Sequence, residues 1–237
     1  MNSDPAFPNK AMILAAGLGT RLRPLTNSIP KALVRVNGQT LLEGAIRHLA
    51  DSGVTEIIIN VHHFADQVIQ FLSQHHNFGL DLYISDERDQ LLDTGGGLKN
   101  ASWFFEGGKP FIVRNVDIVS DLDFHAMMEQ HLKSRTLATL AVRNRQTSRY
   151  FLFDPELRLC GWTNLKTGEK ILSEETKMNP EMLAFSGIQI LNPEIFSLIT
   201  ETGKFSLTDL YLRLAKEHLI KGFIDDGSVW RDVGKSP

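Results

Sequence analysis

The sequence predicts a layered α/β protein, and three observations carry that expectation. Short β-rich runs alternate with helical patterns through the first two thirds of the chain, the spacing that parallel strands joined by crossover helices require. The run "AMILAA" (11–16) is apolar throughout, as a strand covered on both faces must be. After about residue 145 longer strands separated by turns appear, which adds antiparallel members to the sheet.

The elements follow in order. Further strands are expected at "EIIINV" (56–61), "LDLYIS" (80–85), "PFIVRNVD" (110–117) and "TLATLAV" (136–142). Between the first two strands, Leu41, Leu42, Ala45, Ile46 and Leu49 recur at helical spacing. Thr40 and Glu43 form a capping box ahead of them, and Gly53 supplies the stop, so a helix is expected over 41–52. Two more amphipathic patterns, 64–75 and 123–133, fall where crossovers belong. "YFLFDPELRLCGW" (150–162) reads as two short strands around an Asp-Pro turn, and "LAFSGIQIL" (183–191) as a long strand. Helical stretches at 193–201 and 206–218 precede "GFIDDGSVWRDVG", whose last residues look like a strand ending beside Asp232. No repeat or low-complexity linker divides the chain, so one domain is expected over 1–237, with 143–181 a small β-rich insertion lying over one edge.

Charge limits the partners. The net charge of -3, without a long block of one sign, gives no surface for nucleic acid, so an anionic ligand must be met locally. A single cysteine, Cys160, excludes an internal disulfide framework and is expected to pack within a strand. The leader "MNSDPAFPNK" lacks the layout of a signal peptide, and no apolar run approaches the roughly 20 residues that cross a bilayer. A cytoplasmic protein acting on small molecules, away from membranes, is the expectation.

The first strand leads into "GLGTRLRPLTNSIPKAL" (17–33). Ligands of open α/β sheets bind beyond the carboxyl ends of the strands, where this stretch begins. Gly17 and Gly19 permit a tight turn and close backbone approach, while Pro24 and Pro30 forbid a continuous helix. Long loops in compact domains usually bind something, and Arg21, Arg23 and Lys31 beside exposed amides suit a polyphosphate. Two common phosphate loops fail the test. The Walker pattern needs Gly-Lys-Ser/Thr where Gly19-Thr20-Arg21 stands, and the dinucleotide pattern needs a third glycine where Leu22 stands.

These residues resemble the signature loop of the sugar-1-phosphate nucleotidyltransferases, and the resemblance extends over nearly the whole chain. "EIIINVHH", the glycine run 93–97, "RNVD" (114–117), "FSGIQIL" (185–191) and "WRDVG" (230–234) all occur in the family's order. Membership implies a Rossmann-like three-layer sandwich with a mixed, mainly parallel central sheet. It implies that Ala16, Gly17, Leu18 and Gly19 approach the nucleotide, that Arg21 holds the triphosphate and leaving pyrophosphate, and that Lys31 bridges phosphates in the transition state. Asp117 and Asp232 are the expected ligands of Mg²⁺, which takes one or two carboxylates plus phosphate oxygens and water. By themselves, both would be turn residues, since Asp commonly ends strands.

"DTGGGLKNA" (93–101) is expected as flexible backbone before a helix, and the resemblance makes Thr94, Gly95 and Gly96 a lining of the base and sugar pocket. That run looks most like the members acting on N-acetylmuramic acid 1-phosphate, which implies UTP as donor and a place in cell-wall recycling. From their positions, Arg149 is expected to meet the sugar phosphate and Ser186 and Gly187 the hexose. The histidine pairs 62–63 and 75–76 lack the cysteine partners or i,i+4 spacing of zinc sites and are read as loop and helix-end residues. Val116 departs from the Asn-Gly-Asp usual in the family and is expected to narrow the pocket beside the metal. The prolines common after the lysine are also missing from "KALVRVNGQTLLE", which changes loop stiffness. A further helix usual in the family would start near Ser236. Open alternatives are a guanylyl- or cytidylyltransferase for mannose or heptose 1-phosphate or phosphocholine and, from another class, a non-catalytic nucleotide-sugar-binding regulatory subunit.

Overall fold

The computed structural model describes residues 7–172 and 179–234. The helix expected near Ser236 lies outside them, as does part of the 143–181 segment. The chain begins with β1 (Lys10–Leu14), a small hairpin of β2 (Arg35–Val36) and β3 (Gln39–Thr40), α1 (Leu41–Asp51) and β4 (Glu56–Val61). It continues through α2 (Ala65–Gln74), β5 (Asp81–Asp86), α3 (Asp93–Asn100), β6 (Phe111–Asn115), β7 (Ile118–Ser120), α4 (Phe124–Ser134) and β8 (Ala138–Arg143). Then come β9 (Arg149–Phe153), β10 (Leu159–Asn164), β11 (Glu169–Leu172), β12 (Glu181–Leu191), α5 (Ile195–Leu198), α6 (Leu207–Leu214), β13 (Ile220–Ile224) and β14 (Trp230–Asp232).

The architecture is a Rossmann-like three-layer sandwich around a mixed sheet. Its parallel centre is β6, β1, β4 and β5, with β1 between β4 and β6. The long strand β12 joins antiparallel to β6 and also pairs with β8 and β9. β9 to β11 carry the sheet outward from there, and β13 lies parallel to β8.

Side-chain alternation on β1 explains the layers. Ala11 and Ile13 enter a core with α1, α2 and α4, whereas Met12 and Leu14 enter the opposite core with α3, α5 and α6. A strand buried on both faces has no polar side to show, which is why "AMILAA" is apolar throughout. The Thr40 hydroxyl accepts from the Glu43 amide at 3.1 Å and caps α1, a contact worth about 1 kcal/mol.

Three expectations are corrected. The 193–201 stretch is helical only over Ile195–Leu198, because Ile199 turns extended. Helix 206–218 ends at Leu214. The glycines of "DTGGG" lie inside α3 and are buried, where a flexible segment ahead of a helix was expected.

Candidate active site

The carboxyl end of β1 is braced from beneath by a buried polar chain. Asn60, the last polar residue of the apolar strand β4, accepts from the Ala15 amide at 2.6 Å and the Ala16 amide at 3.3 Å. Its own amide group donates to Glu87 Oε1 at 2.7 Å, and Glu87 Oε2 accepts from the Leu92 amide at 3.2 Å, at the entry to α3. Burial pushes the Glu87 carboxyl up from its ordinary range, opposed by those hydrogen bonds. The chain ties the start of the loop to the start of α3.

Beyond this anchor, Gly17 and Leu18 are exposed, and the backbone reverses at Gly19 with φ +63°. A side chain there would press on Thr26 Cγ2 at 2.9 Å and Lys31 Cβ at 3.1 Å. The Thr26 hydroxyl donates to the Gly19 carbonyl at 2.7 Å, so the loop is closed on itself at its neck. Short 3₁₀ turns at 20–22, 25–27 and 31–33 fill it, the form two prolines allow in place of one helix. This folding brings Lys31 back under the loop while leaving Arg21 exposed on its first turn.

Lys31, Asp117 and Asp232 are distant in sequence and meet at one point. The Lys31 ammonium pairs with Asp117 Oδ2, both side chains being largely buried. β14 pairs antiparallel with β7 so that Asp232 lies opposite Ile118, and the Val233 amide donates to the Asp117 carbonyl at 3.0 Å. Gly234 then closes the corner, its amide donating to Asp232 Oδ1 at 2.9 Å. A Cβ at Gly234 would intrude on Asp117 Oδ2, Lys31 Nζ and Asp232 Oδ1 together, so the glycine keeps a small space bounded by two carboxylates and an ammonium. Arg114 stiffens the turn that presents Asp117. Its fully buried guanidinium donates to His48 Nδ1 at 2.9 Å and to the Ile118 carbonyl, and burial brings its pKa down to about 10 against the pull of Asp117. Val116 does not face this space: its side chain is buried in the core with Ala32 and Ile118, so the expected narrowing is absent.

Hard carboxylate oxygens suit a divalent cation. Among the described residues no group of three or more His, Cys, Asp or Glu could hold a metal ion. Two carboxylates leave the remaining positions to phosphate oxygens and water, which is how a metal shared with a nucleotide is held.

Next to this corner opens a cleft of about 830 Å³, whose lining includes Arg21, Arg145, Arg149 and Lys166 and no Asp or Glu. Arg145 is placed by two contacts. It lies over the Trp230 ring at 4.3 Å, donates to the Phe185 carbonyl at 3.0 Å, and keeps Nε buried without a partner. Burial lowers its pKa while Asp232 raises it, which puts Arg145 at the Asp232 end of the cleft.

Thr94, Gly95, Gly96, Ser186 and Gly187 are not among the residues that line this cleft. The Gly95 and Gly96 amides donate to the Phe205 carbonyl at 2.9 and 3.2 Å, and the Thr94 hydroxyl accepts from the Leu207 amide at 3.0 Å. Side chains at 95 and 96 would collide with Phe205 and with the Gly203 carbonyl, so close packing of α3 on the 203–207 segment requires glycine at both. Ser186 and Gly187 sit in the bulge of β12; Ser186 is fully buried, its carbonyl accepting from the Trp230 indole at 2.9 Å. Asn60, Glu87, Arg145 and Gly234 shape this candidate site and were missed by sequence reasoning. A polar residue ending an apolar strand was the one available signal, at Asn60.

A corner of two carboxylates and an ammonium at the strand ends, overhung by a cationic loop, is suited to moving a phosphate-bearing group between two anionic partners, the chemistry of a nucleotide-transferring enzyme. Residues 10–237 match the family described as Nucleotidyl transferase. The chain is 35% identical to the N-acetylmuramate alpha-1-phosphate uridylyltransferase of Caulobacter vibrioides, over 96% of this chain and 92% of that protein. It is 30% identical to the protein of the same name from Neisseria meningitidis serogroup B, over 95% and 93%. The crystal structure of HddC from Yersinia pseudotuberculosis complexed with GMP-PN superposes with a TM-score of 0.73 at 25% identity, over 95% of this chain and 93% of that one. The chain belongs to the nucleotidyl transferase family, as a sugar-1-phosphate nucleotidyltransferase.

Proposed function

We propose that the protein transfers the uridylyl group of UTP to N-acetylmuramic acid 1-phosphate and releases pyrophosphate, with Mg²⁺ as its metal. The single observation that supports this most is the meeting of Lys31, Asp117 and Asp232 around Gly234, beside a cleft lined by four cations. The two relatives that carry this activity in their names support the choice of base and sugar.

The acceptor phosphate is largely ionised at neutral pH, its second pKa being near 6, so its oxygen attacks the α-phosphorus without a general base. The bond from the α-phosphorus to the bridging oxygen breaks and pyrophosphate leaves with that electron pair. What the protein must supply is alignment and neutralisation of charge. Ala16, Gly17, Leu18 and Gly19 line the nucleotide, Arg21 takes the triphosphate and leaving group, and Thr94, Gly95 and Gly96 wall the base and ribose. Lys31 exchanges Asp117 for phosphate oxygens once substrate arrives, which frees the carboxylate. Asp117 and Asp232 would hold Mg²⁺, which would supply Lewis-acid neutralisation of the phosphates. The acceptor lies in the cleft, its anionic groups toward the cations, Arg149 among them, and its hexose against the Ser186–Gly187 bulge. On this reading the enzyme works in the cytoplasm, reusing cell-wall sugar.

The test is pyrophosphate release with Mg²⁺ across UTP, CTP, GTP, ATP and dTTP against N-acetylmuramic acid, N-acetylglucosamine, glucose, mannose and heptose 1-phosphates and phosphocholine. UTP with N-acetylmuramic acid 1-phosphate is expected to give the highest kcat/KM. A different preferred pair sinks the assignment of donor or acceptor.

A further inference from the structure

We infer that the cleft reads a second negative charge on the acceptor, a carboxylate beside the 1-phosphate, and that Arg149 and Lys166 are the residues that read it. The inference rests on the reading of the cleft as the acceptor site. It names the substrate class as acidic sugar 1-phosphates and assigns the specificity to two side chains.

The argument is one of charge and position. The chain has more acidic than basic residues, 28 against 25, yet the cleft is lined by four cations and no carboxylate. Cations gathered along one cleft raise its local potential and attract an anionic ligand. Two of the four have evident work. Arg21 stands on the signature loop with the nucleotide phosphates, and Arg145 is fixed on Trp230, two residues from Asp232, where an acceptor phosphate must arrive. Arg145 and Lys31 together answer a phosphate dianion.

Arg149 and Lys166 belong to a different wall. Arg149 opens β9 and pairs in register with Asn164 at the end of β10. The Leu165 amide donates to the Ser148 carbonyl at 2.7 Å, which brings Lys166 to the same end of this hairpin. Among the described residues neither Arg149 nor Lys166 forms an ion pair, and both are exposed along the cleft. The aromatic side chains of Phe151, Trp162 and Phe185 complete the lining, a surface for the apolar face of a sugar ring. A guanidinium with a neighbouring ammonium suits a carboxylate held at a fixed distance from the phosphate, since Arg presents a planar fork and Lys a point charge. The lactyl carboxylate of N-acetylmuramic acid is such a group, and N-acetylglucosamine 1-phosphate lacks it.

The experiment measures kcat/KM and calorimetric binding for two matched pairs. These are N-acetylmuramic acid against N-acetylglucosamine 1-phosphate, and glucuronic acid against glucose 1-phosphate. The proteins are the unmodified chain, Arg149→Gln and Lys166→Met. The unmodified protein is expected to favour the acidic member of each pair, and Arg149→Gln to shrink that preference roughly 10- to 100-fold, the scale of one charged hydrogen bond. Lys166→Met is expected to shrink it less, because a point charge gives up no paired geometry. The readout is the ratio within a pair, so a loss common to both members does not count.

A preference unchanged within about twofold in Arg149→Gln, or its absence from the unmodified protein, overturns the inference. Turnover of neutral acceptors alone would overturn it while leaving nucleotidyl transfer standing. If no pair turns over, the transfer reading fails, and the binding arm still decides whether Arg149 discriminates. Arg149 and Lys166 lie on the surface of the hairpin, and Arg149→Lys provides a conservative variant expected to recover part of the preference.

Discussion

Gly234 is the most revealing position to perturb. In Gly234→Ala the new methyl would lie 2.5 Å from Lys31 Nζ and 3.0 Å from Asp232 Oδ1, and would also overlap Asp117 Oδ2. Ordinary contact begins near 3.4 Å, so the three side chains must retreat, Lys31 by about 1 Å. Displacements of that size in a reacting constellation cost about 10²-fold in rate, so kcat is expected to fall about 100-fold. Global stability should change far less. Ala restricts the unfolded chain and contributes about 0.4–1 kcal/mol, which offsets part of the clash, and φ at 234 is not in the left-handed region. The assay is pyrophosphate release with a metal titration, alongside thermal unfolding. A weaker metal response is expected with Tm nearly unmoved. Gly227→Ala, where nothing lies within 4 Å, serves as the control and should behave as the unmodified protein. If Gly234→Ala keeps kcat/KM within about threefold, the corner is not where the reaction is organised.

Lys31→Ala is expected to reduce kcat by orders of magnitude while metal affinity, measured by calorimetry without nucleotide, holds or rises, because Asp117 loses its competing ammonium. Asn60→Ala removes the acceptor of the Ala15 amide and the donor to Glu87, so about 2–4 kcal/mol of stability should be lost in urea unfolding, with a higher KM for UTP as the loop loses its anchor. Gly96→Ala should lower Tm through overpacking of about 1–3 kcal/mol, since Leu92 Cβ at 2.9 Å and the Gly203 carbonyl cannot yield cheaply. Burial drives the His131 imidazole down to about 4 from 6.5, so the neutral ring favours the fold above pH 6.5. That stability, up to about 3 kcal/mol, is lost as pH falls from 6.5 toward 4, and a His131→Gln variant should show a shallower decline of Tm over that window.

Much of the frame was legible because it rests on local rules. The apolar run of β1, the i, i+3, i+4 pattern of α1 with its Thr40 cap, and the Asp-Pro turn between β9 and β10 all follow from periodicity and turn chemistry a few residues long. The two prolines in the signature loop announced a non-helical connection in the same way. Where several local preferences competed, the reading slipped. "DTGGG" has the composition of a loop, and only the approach of Phe205, Gly203 and Glu87, distant in sequence, makes three glycines a condition for packing a helix.

The site divides along the same line. Which residue types would handle phosphate and metal could be read from Arg21, Lys31, Asp117 and Asp232 and the family their surroundings resemble. That Lys31 lies against Asp117, that Gly234 keeps the corner open, and that Asn60 and Glu87 hold the start of the loop were decided by tertiary structure alone. So was the cleft, which Arg145, Arg149 and Lys166 line without a carboxylate among them. The sequence by itself determined the main strands, α1 and the chemical inventory, because these depend on neighbours along the chain. The pairing of β14 with β7, a two-stranded sheet of its own that carries Asp232 to Asp117 across more than 100 residues, depends on the packing of the whole chain, and no local pattern encodes it.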